Sequence, residues 1–336
     1  MRKVVSLLAL VLICVILSSC SSQSKQHKTI TKDNKLNIYT TVFAFQSFTQ
    51  QIGGKYVHAQ SIYPPGVDTH SYEPTQRNMI DIAKSDLFIY TSDDLDPVAH
   101  KIASSIRNKG IKLPVAHGLK HSNLLPGDED DEHEESHDGH NHAGESNDPH
   151  VWLDPVLDQR FALKIKNKLV QKDPKHKAYY EHNYRQLKND LKGIDQQLNK
   201  VTKHPKRKTI VISHDSLGYL AHRYHFKQVG VTGMNNEDPS QQEIISIIHN
   251  IKQTHQPYVL YEQNISSKLT DIIKRETDTK PLSFNNLATR NKDDNNNVKY
   301  QKIMQHNIET LDTALNNYIK RTSRLFTINR RDVLYL

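Results

Sequence analysis

Thr209-Ile210-Val211-Ile212-Ser213-His214 is the stretch on which the fold turns. A short β-branched apolar run suits a strand of a parallel sheet, covered on both faces. Three more runs read the same way: 36–41 (Leu-Asn-Ile-Tyr-Thr-Thr), 86–90 (Asp-Leu-Phe-Ile-Tyr) and 257–261 (Pro-Tyr-Val-Leu-Tyr). The second leads into polar Thr91-Ser92-Asp93-Asp94 and the third into Glu262. Helical patterns lie between them, around 43–52 and 241–253. Alternating strands and helices predict an α/β architecture with mainly parallel sheets. Ligands in open α/β sheets bind beyond the carboxyl ends of the strands. His214 and Glu262 both stand there.

The middle of the chain reads as helix. Phe161, Ile165 and Leu169 repeat at four residues, and Asp173-Pro174 interrupts. Then Tyr180, Tyr184, Leu187, Leu191, Ile194, Leu198 and Val201 alternate steps of four and three. That stripe predicts one helix of about 40 Å, a rigid strut between two halves. A chain of 336 residues suffices for two lobes, each with its own core.

The first residues are of another kind. Arg2 and Lys3 precede an unbroken apolar run from Leu7 to Leu17, then Ser18-Ser19-Cys20. The run suits a signal-peptide core better than a transmembrane helix. Leu17-Ser18-Ser19-Cys20 reads as a lipobox, with cleavage before Cys20 and lipidation of its thiol; the plainer alternative is a secretory signal with an incidental cysteine. Two acyl chains anchor stably, and polar residues 21–35 suit a flexible tether. The chain's two cysteines, Cys14 and Cys20, both lie in this segment. The mature body therefore has no disulfide and no thiolate metal site. Any metal must be held by nitrogen and oxygen.

Formal charge is +8, but residues 128–150 hold ten Asp or Glu and no Lys or Arg. Without them 27 acidic residues face 45 basic ones. A body this basic suits anionic lipid or wall polymer. Nucleic acid is discounted, because an exported protein rarely meets it and no recognition motif occurs.

Twenty histidines are present, and context selects three. His70 lies in Pro64-Pro65-Gly66-Val67-Asp68-Thr69-His70-Ser71-Tyr72-Glu73-Pro74, a loop stiffened by proline and glycine. His150 lies in Asp148-Pro149-His150-Val151-Trp152-Leu153-Asp154-Pro155, beside the single tryptophan. His214 ends a strand, in Ser213-His214-Asp215. Without thiolate, zinc favours imidazole nitrogen in a tetrahedral set.

These three motifs, in this order, resemble the zinc-specific substrate-binding proteins of ABC importers, the AdcA and ZnuA type. The likeness runs from about residue 36 to 315, with Ile52-Gly53-Gly54, Ala83-Lys84-Ser85-Asp86-Leu87, Tyr219, and Tyr261-Glu262 with Asn264 in support. It implies two similar α/β lobes bridged by one long helix, with the metal between them on His70, His150 and His214. Manganese-binding relatives usually carry Glu at the third position, so His214 favours zinc. Ala288 stands where some relatives have Glu. A water molecule, Glu262, Asp293 or Asp294 is left to complete the site, with water or Glu262 preferred.

The resemblance extends to the loop carrying His133, His137, His140 and His142. It reads either as a solvated charge run or as a weak, multi-site zinc collector. The expected organisation is a signal peptide at 1–19, a tether at 20–35, an N-terminal lobe at 36–157 with its acidic loop at 128–147, linking helices at 158–202, a C-terminal lobe at 203–318 and a basic tail at 319–336. The tail continues no helix pattern and reads as a truncation or frame shift. The expected protein is a monomer on the outer face of a Gram-positive cell membrane, delivering Zn2+ to an ABC permease without catalysis. Alternatives are a manganese or broader divalent-metal binder with an adhesin role, or a zinc hydrolase. The last lacks a His-Glu-x-x-His helix and a general base beside the triad. The strut argues against a wide hinge swing, leaving release to loops around His70 and His150.

Overall fold

In the computed structural model of the protein, residues 28–127, 147–262 and 268–317 are described. The expectations for the signal segment, Cys20, His133, His137, His140, His142 and the basic tail lie outside those residues.

Strands β1 (Leu36–Thr40), β2 (Val57–Ser61), β3 (Leu87–Tyr90) and β4 (Lys112–Pro114) form one sheet, in the order β2-β1-β3-β4. Strands β5 (Thr209–His214), β6 (Lys227–Thr232), β7 (Tyr258–Glu262) and β8 (Lys280–Phe284) form a second, in the order β6-β5-β7-β8. All pairings are parallel, and both sheets have the same topology. The two lobes are thus similar, as expected.

The strands legible in the sequence are β1, β3, β5 and β7, the inner pair of each sheet. An inner strand is covered on both faces, so every side chain is selected for burial: all four residues of β3 are buried. The edge strands carry polar, partly exposed residues, as in Lys-Gln-Val-Gly-Val-Thr of β6, and so escape the pattern.

Helices α1 (Phe43–Gly53), α2 (Gln76–Ala83) and α3 (Pro97–Ser105) belong to the first lobe. Helix α4 (Pro155–Lys172) follows Asp154, whose side chain accepts from Val156 N and Leu157 N, with proline in the first turn. It ends at Asp173-Pro174, where proline removes a donor. Helix α5 (Lys177–Thr202) has 26 residues, about 39 Å at 1.5 Å per residue. Its stripe of Tyr180, Leu187, Leu191, Ile194 and Leu198 is buried. Helices α6 (Gly218–Tyr224), α7 (Gln241–Thr254), α8 (Lys268–Glu276) and α9 (Tyr300–Asn316) complete the order.

The strut touches both lobes. Asn183 Nδ2 donates to Ile52 O at the end of α1, and Asn316 Nδ2 of α9 donates to Val201 O. Main-chain bonds also join the lobes: Phe43 N to Ala288 O at 2.8 Å, Ala44 N to Leu287 O at 3.2 Å and Gly66 N to Arg290 O at 2.8 Å. One apolar core runs through both lobes and the strut. A smaller cluster of Val211, Val231, Ile247, Ile251, Val259 and Ile273 fills the second lobe.

Leu191 is fully buried on the strut. Leu191→Ala is expected to cost about 2–5 kcal/mol by denaturant unfolding. A loss below about 1 kcal/mol would show that the stripe is not packed as described.

Candidate metal centre

Two of the three histidines are mounted the same way. Asp68 Oδ1 accepts from His70 N at 3.0 Å, and Asp148 Oδ1 accepts from His150 N at 2.8 Å. Each Asp-x-His is an Asx turn. His70 lies on the loop after β2, which Gly66 enters at φ +72°; a Cβ there would strain the backbone. His150 precedes a single 3-10 turn (Val151–Leu153) that leads into α4. Within that turn, buried Trp152 donates Nε1–H to Asn286 O at 2.7 Å, across to the other lobe. His214 is the last residue of β5.

The rings converge between the lobes. Centroids are 4.9 Å apart for His70 and His214, 5.1 Å for His150 and His214, and 5.9 Å for His70 and His150. One ligand atom from each lies within 4.8 Å of the others, the one such group found among the described residues. Tetrahedral zinc with bonds of about 2.0–2.1 Å needs nitrogens about 3.4 Å apart, so shifts of about an ångström would close the set.

Carboxylates back two of the rings. Asp148 Oδ1 lies 2.8 Å from His150 Nδ1, and Glu262 Oε2 lies 3.1 Å from His214 Nδ1, both pairs buried. Such a partner fixes ring orientation and raises the basicity of the far nitrogen. His70 Nε2 is buried and has no hydrogen-bond partner. An unpaired buried polar atom is costly, and its presence calls for an explanation such as an ion.

Burial, reinforced by His214 and His150, presses His70 down to about 4, so it is neutral at pH 7. Burial also works to depress His214. The charge and hydrogen bond of Glu262, with the Met234 carbonyl 2.8 Å from Nε2, outweigh burial and hold His214 at about 9. Burial raises Glu262, yet His214 and the Ser216 hydroxyl keep it below the usual carboxylate range.

His70, His150 and His214 are therefore brought together. Glu262 lies directly behind His214, and its carboxylate is taken up by His214, Ser216 and Asn286 Nδ2, the last at 2.9 Å. Asp293 is exposed, and Asp294 accepts from Asn291 N at 2.8 Å. Ala288 is buried and accepts from Phe43 N. Sequence reasoning gave no role to Asp68, Asp148, Ser216 or Asn286. Aspartate two residues ahead of histidine recurs in both motifs and was a usable local signal. The Asn286 bond crosses from a distant segment and has none.

Two parallel-sheet lobes on one long helix, with a buried nitrogen-rich cluster at their seam, define a metal-type solute-binding protein. The profile of the family "zinc-uptake complex component A, periplasmic" (ZnuA) matches residues 38–314, and the chain belongs to this family. It is 29% identical over 306 residues to the high-affinity zinc uptake system protein ZnuA of Bacillus subtilis, covering 90% of this chain and 94% of that one. It is 28% identical over 313 residues to the zinc-binding lipoprotein AdcA of Streptococcus pneumoniae, covering 92% of this chain. The matched region spans only 60% of the length of that AdcA. Among solved structures, the metal-dependent lipoprotein YcdH of Bacillus subtilis superposes with a TM-score of 0.68 at 27% identity, covering 84% of this chain and 99% of that one. The family is one of solute-binding proteins rather than an enzyme class.

Gly218 tests the backing of His150. A Cβ there would meet Asp148 Oδ2 at 2.2 Å. Gly218→Ala is expected to push Asp148 off His150 and weaken metal affinity about 10–100-fold in chelator competition. Unchanged affinity would show that Asp148 does not orient the ring.

Proposed function

We propose that this chain captures Zn2+ outside the cell and delivers it to an ABC importer. The observation that carries the reading is the meeting of His70, His150 and His214 in a buried seam, with His70 Nε2 lacking any other partner. Three imidazoles suit zinc, whereas carboxylate and water ligands suit manganese. In this reading zinc is cargo, a water completes a tetrahedral set, and Glu262 acts behind His214 as its orienting carboxylate. A cavity of about 320 Å³ with Asp94 and Asp96 on its wall adjoins His70 and gives a cation a negative approach. No helix among the described residues is long and apolar enough to cross a membrane. Attachment falls to lipid on Cys20, on the outer face, with an ABC permease as the partner of a monomeric binding protein. The relatives' names, zinc uptake protein and zinc-binding lipoprotein, support this. The histidines at 133, 137, 140 and 142 serve as weaker collectors, since imidazoles two to four residues apart in sequence can chelate without fixing one geometry.

Titration calorimetry should find one tight zinc per chain, retained when residues 128–147 are removed. Alanine at position 70, 150 or 214 should weaken it at least about 100-fold, since each removes a coordinate bond. Tight binding that survives all three substitutions, or that vanishes with the loop, contradicts the assignment.

The pH dependence has a definite sign. His214, raised to about 9, carries a proton at neutral pH that zinc must expel, whereas His70, lowered to about 4, carries none. Zinc binding at pH 7.5 should release about one proton, and affinity should rise about tenfold per pH unit until it flattens near the raised value. Calorimetry in buffers of different ionisation enthalpy measures this. A proton count near zero at pH 7.5 would refute the protonation assigned to His214.

A further inference from the structure

The loop after β2 and the turn after β6 leave equivalent edge strands of the two sheets, and they meet over the histidines. Asn236 Nδ2 donates to Asp68 Oδ2 at 3.2 Å, while Asp68 Oδ1 accepts from His70 N at 3.0 Å. On its other side, Asn236 Oδ1 accepts from Thr232 Oγ1 at 3.0 Å. Its backbone is left-handed, at φ +66°, a region that asparagine tolerates better than most residues. Asn236 N donates to Gly233 O at 2.9 Å and Gly233 N donates to Glu237 O at 3.0 Å, which closes the turn. Within the turn, the Met234 carbonyl faces His214 Nε2 at 2.8 Å. One run of hydrogen bonds therefore links two of the three histidines across the cleft, from the His70 main chain through Asp68, Asn236 and the turn to the His214 ring.

We infer that Asp68 and Asn236 are positioning residues that clasp the two lobes over the ion and set how fast it leaves. The inference rests on the three-histidine reading of the site. Glu262 can stay on Nδ1 while His214 coordinates through Nε2, but Nε2 cannot donate a proton to the Met234 carbonyl and a lone pair to a cation at once. Ion entry thus releases the Nε2 proton to solvent and replaces the Met234 hydrogen bond with a coordinate bond, and departure reverses both changes. The turn that makes this exchange is the one tied to the His70 loop. Asparagine suits the position because its amide gives a donor to Asp68 and an acceptor to Thr232 at once.

The test is a reciprocal swap. N236D keeps the acceptor for Thr232 and the tolerance of positive φ, but sets a second carboxylate against Asp68. Zinc release into excess chelator, followed by stopped flow, should speed up about tenfold or more. The double variant D68N/N236D restores every donor–acceptor pair with no change in net charge, and should return release to within a few-fold of the parent. N236G keeps the turn and deletes both side-chain bonds; it should also speed release, which excludes ligation by the new carboxylate and serves if N236D folds poorly. Unchanged release in N236D and N236G, or a double variant no better than N236D, overturns the clasp. H214A separates the two layers. If it still binds zinc tightly, the site reading fails; if it does not while N236D and N236G are silent, only the clasp fails.

Discussion

Three imidazoles from segments distant in the chain must meet in a buried seam between two lobes, and most of the architecture follows from that requirement. A parallel sheet delivers its strand ends to one side, so two such sheets facing one another bring ligand groups to a common point. His214 and Glu262 are terminal residues of adjacent strands, and His70 and His150 come from the opposing lobe on stiff Asx turns. The strut and the main-chain bonds from α1 and the His70 loop to the segment after β8 tie the two lobes together around the seam.

Charge explains why the seam tolerates so many polar groups. Buried imidazoles and carboxylates are costly alone and stable when paired. Asp148 and Glu262 each back one ring, and carboxylates so placed favour a cation held on the far ring nitrogens. His214 holds a proton between Glu262 and the Met234 carbonyl, so the pair is already satisfied before an ion arrives. His70 differs: its nitrogen is buried, uncharged and unpaired. The site thus combines a pre-formed pair of oriented donors with one imidazole whose lone pair has no internal partner.

Much of this was legible in the sequence, for physical reasons that also mark where legibility ended. Inner strands and the α5 stripe are buried on fixed periodicities, so they stand out; edge strands such as Val57–Ser61 are half solvated and do not. Histidines set in Pro- and Gly-rich loops or at a strand end signalled stiff placement, and those three rings do converge. Their supports were harder to see. Asp68 and Asp148 act locally and could be read from the Asp-x-His spacing. Asn236 and Asn286 act across 168 and 24 positions, and nothing near them in the chain announces the partner. Glu262 stands at a legible strand end, and its carboxylate lies 3.1 Å from His214 Nδ1, behind the ring rather than among the converging nitrogens.

The most direct measurement is zinc K-edge X-ray absorption on protein lacking residues 128–147, loaded with one equivalent of zinc. The account predicts three imidazole nitrogens and one light oxygen, with bonds of about 2.0–2.1 Å in a four-coordinate shell. A shell with fewer than three imidazoles, or a six-coordinate oxygen shell, would contradict it.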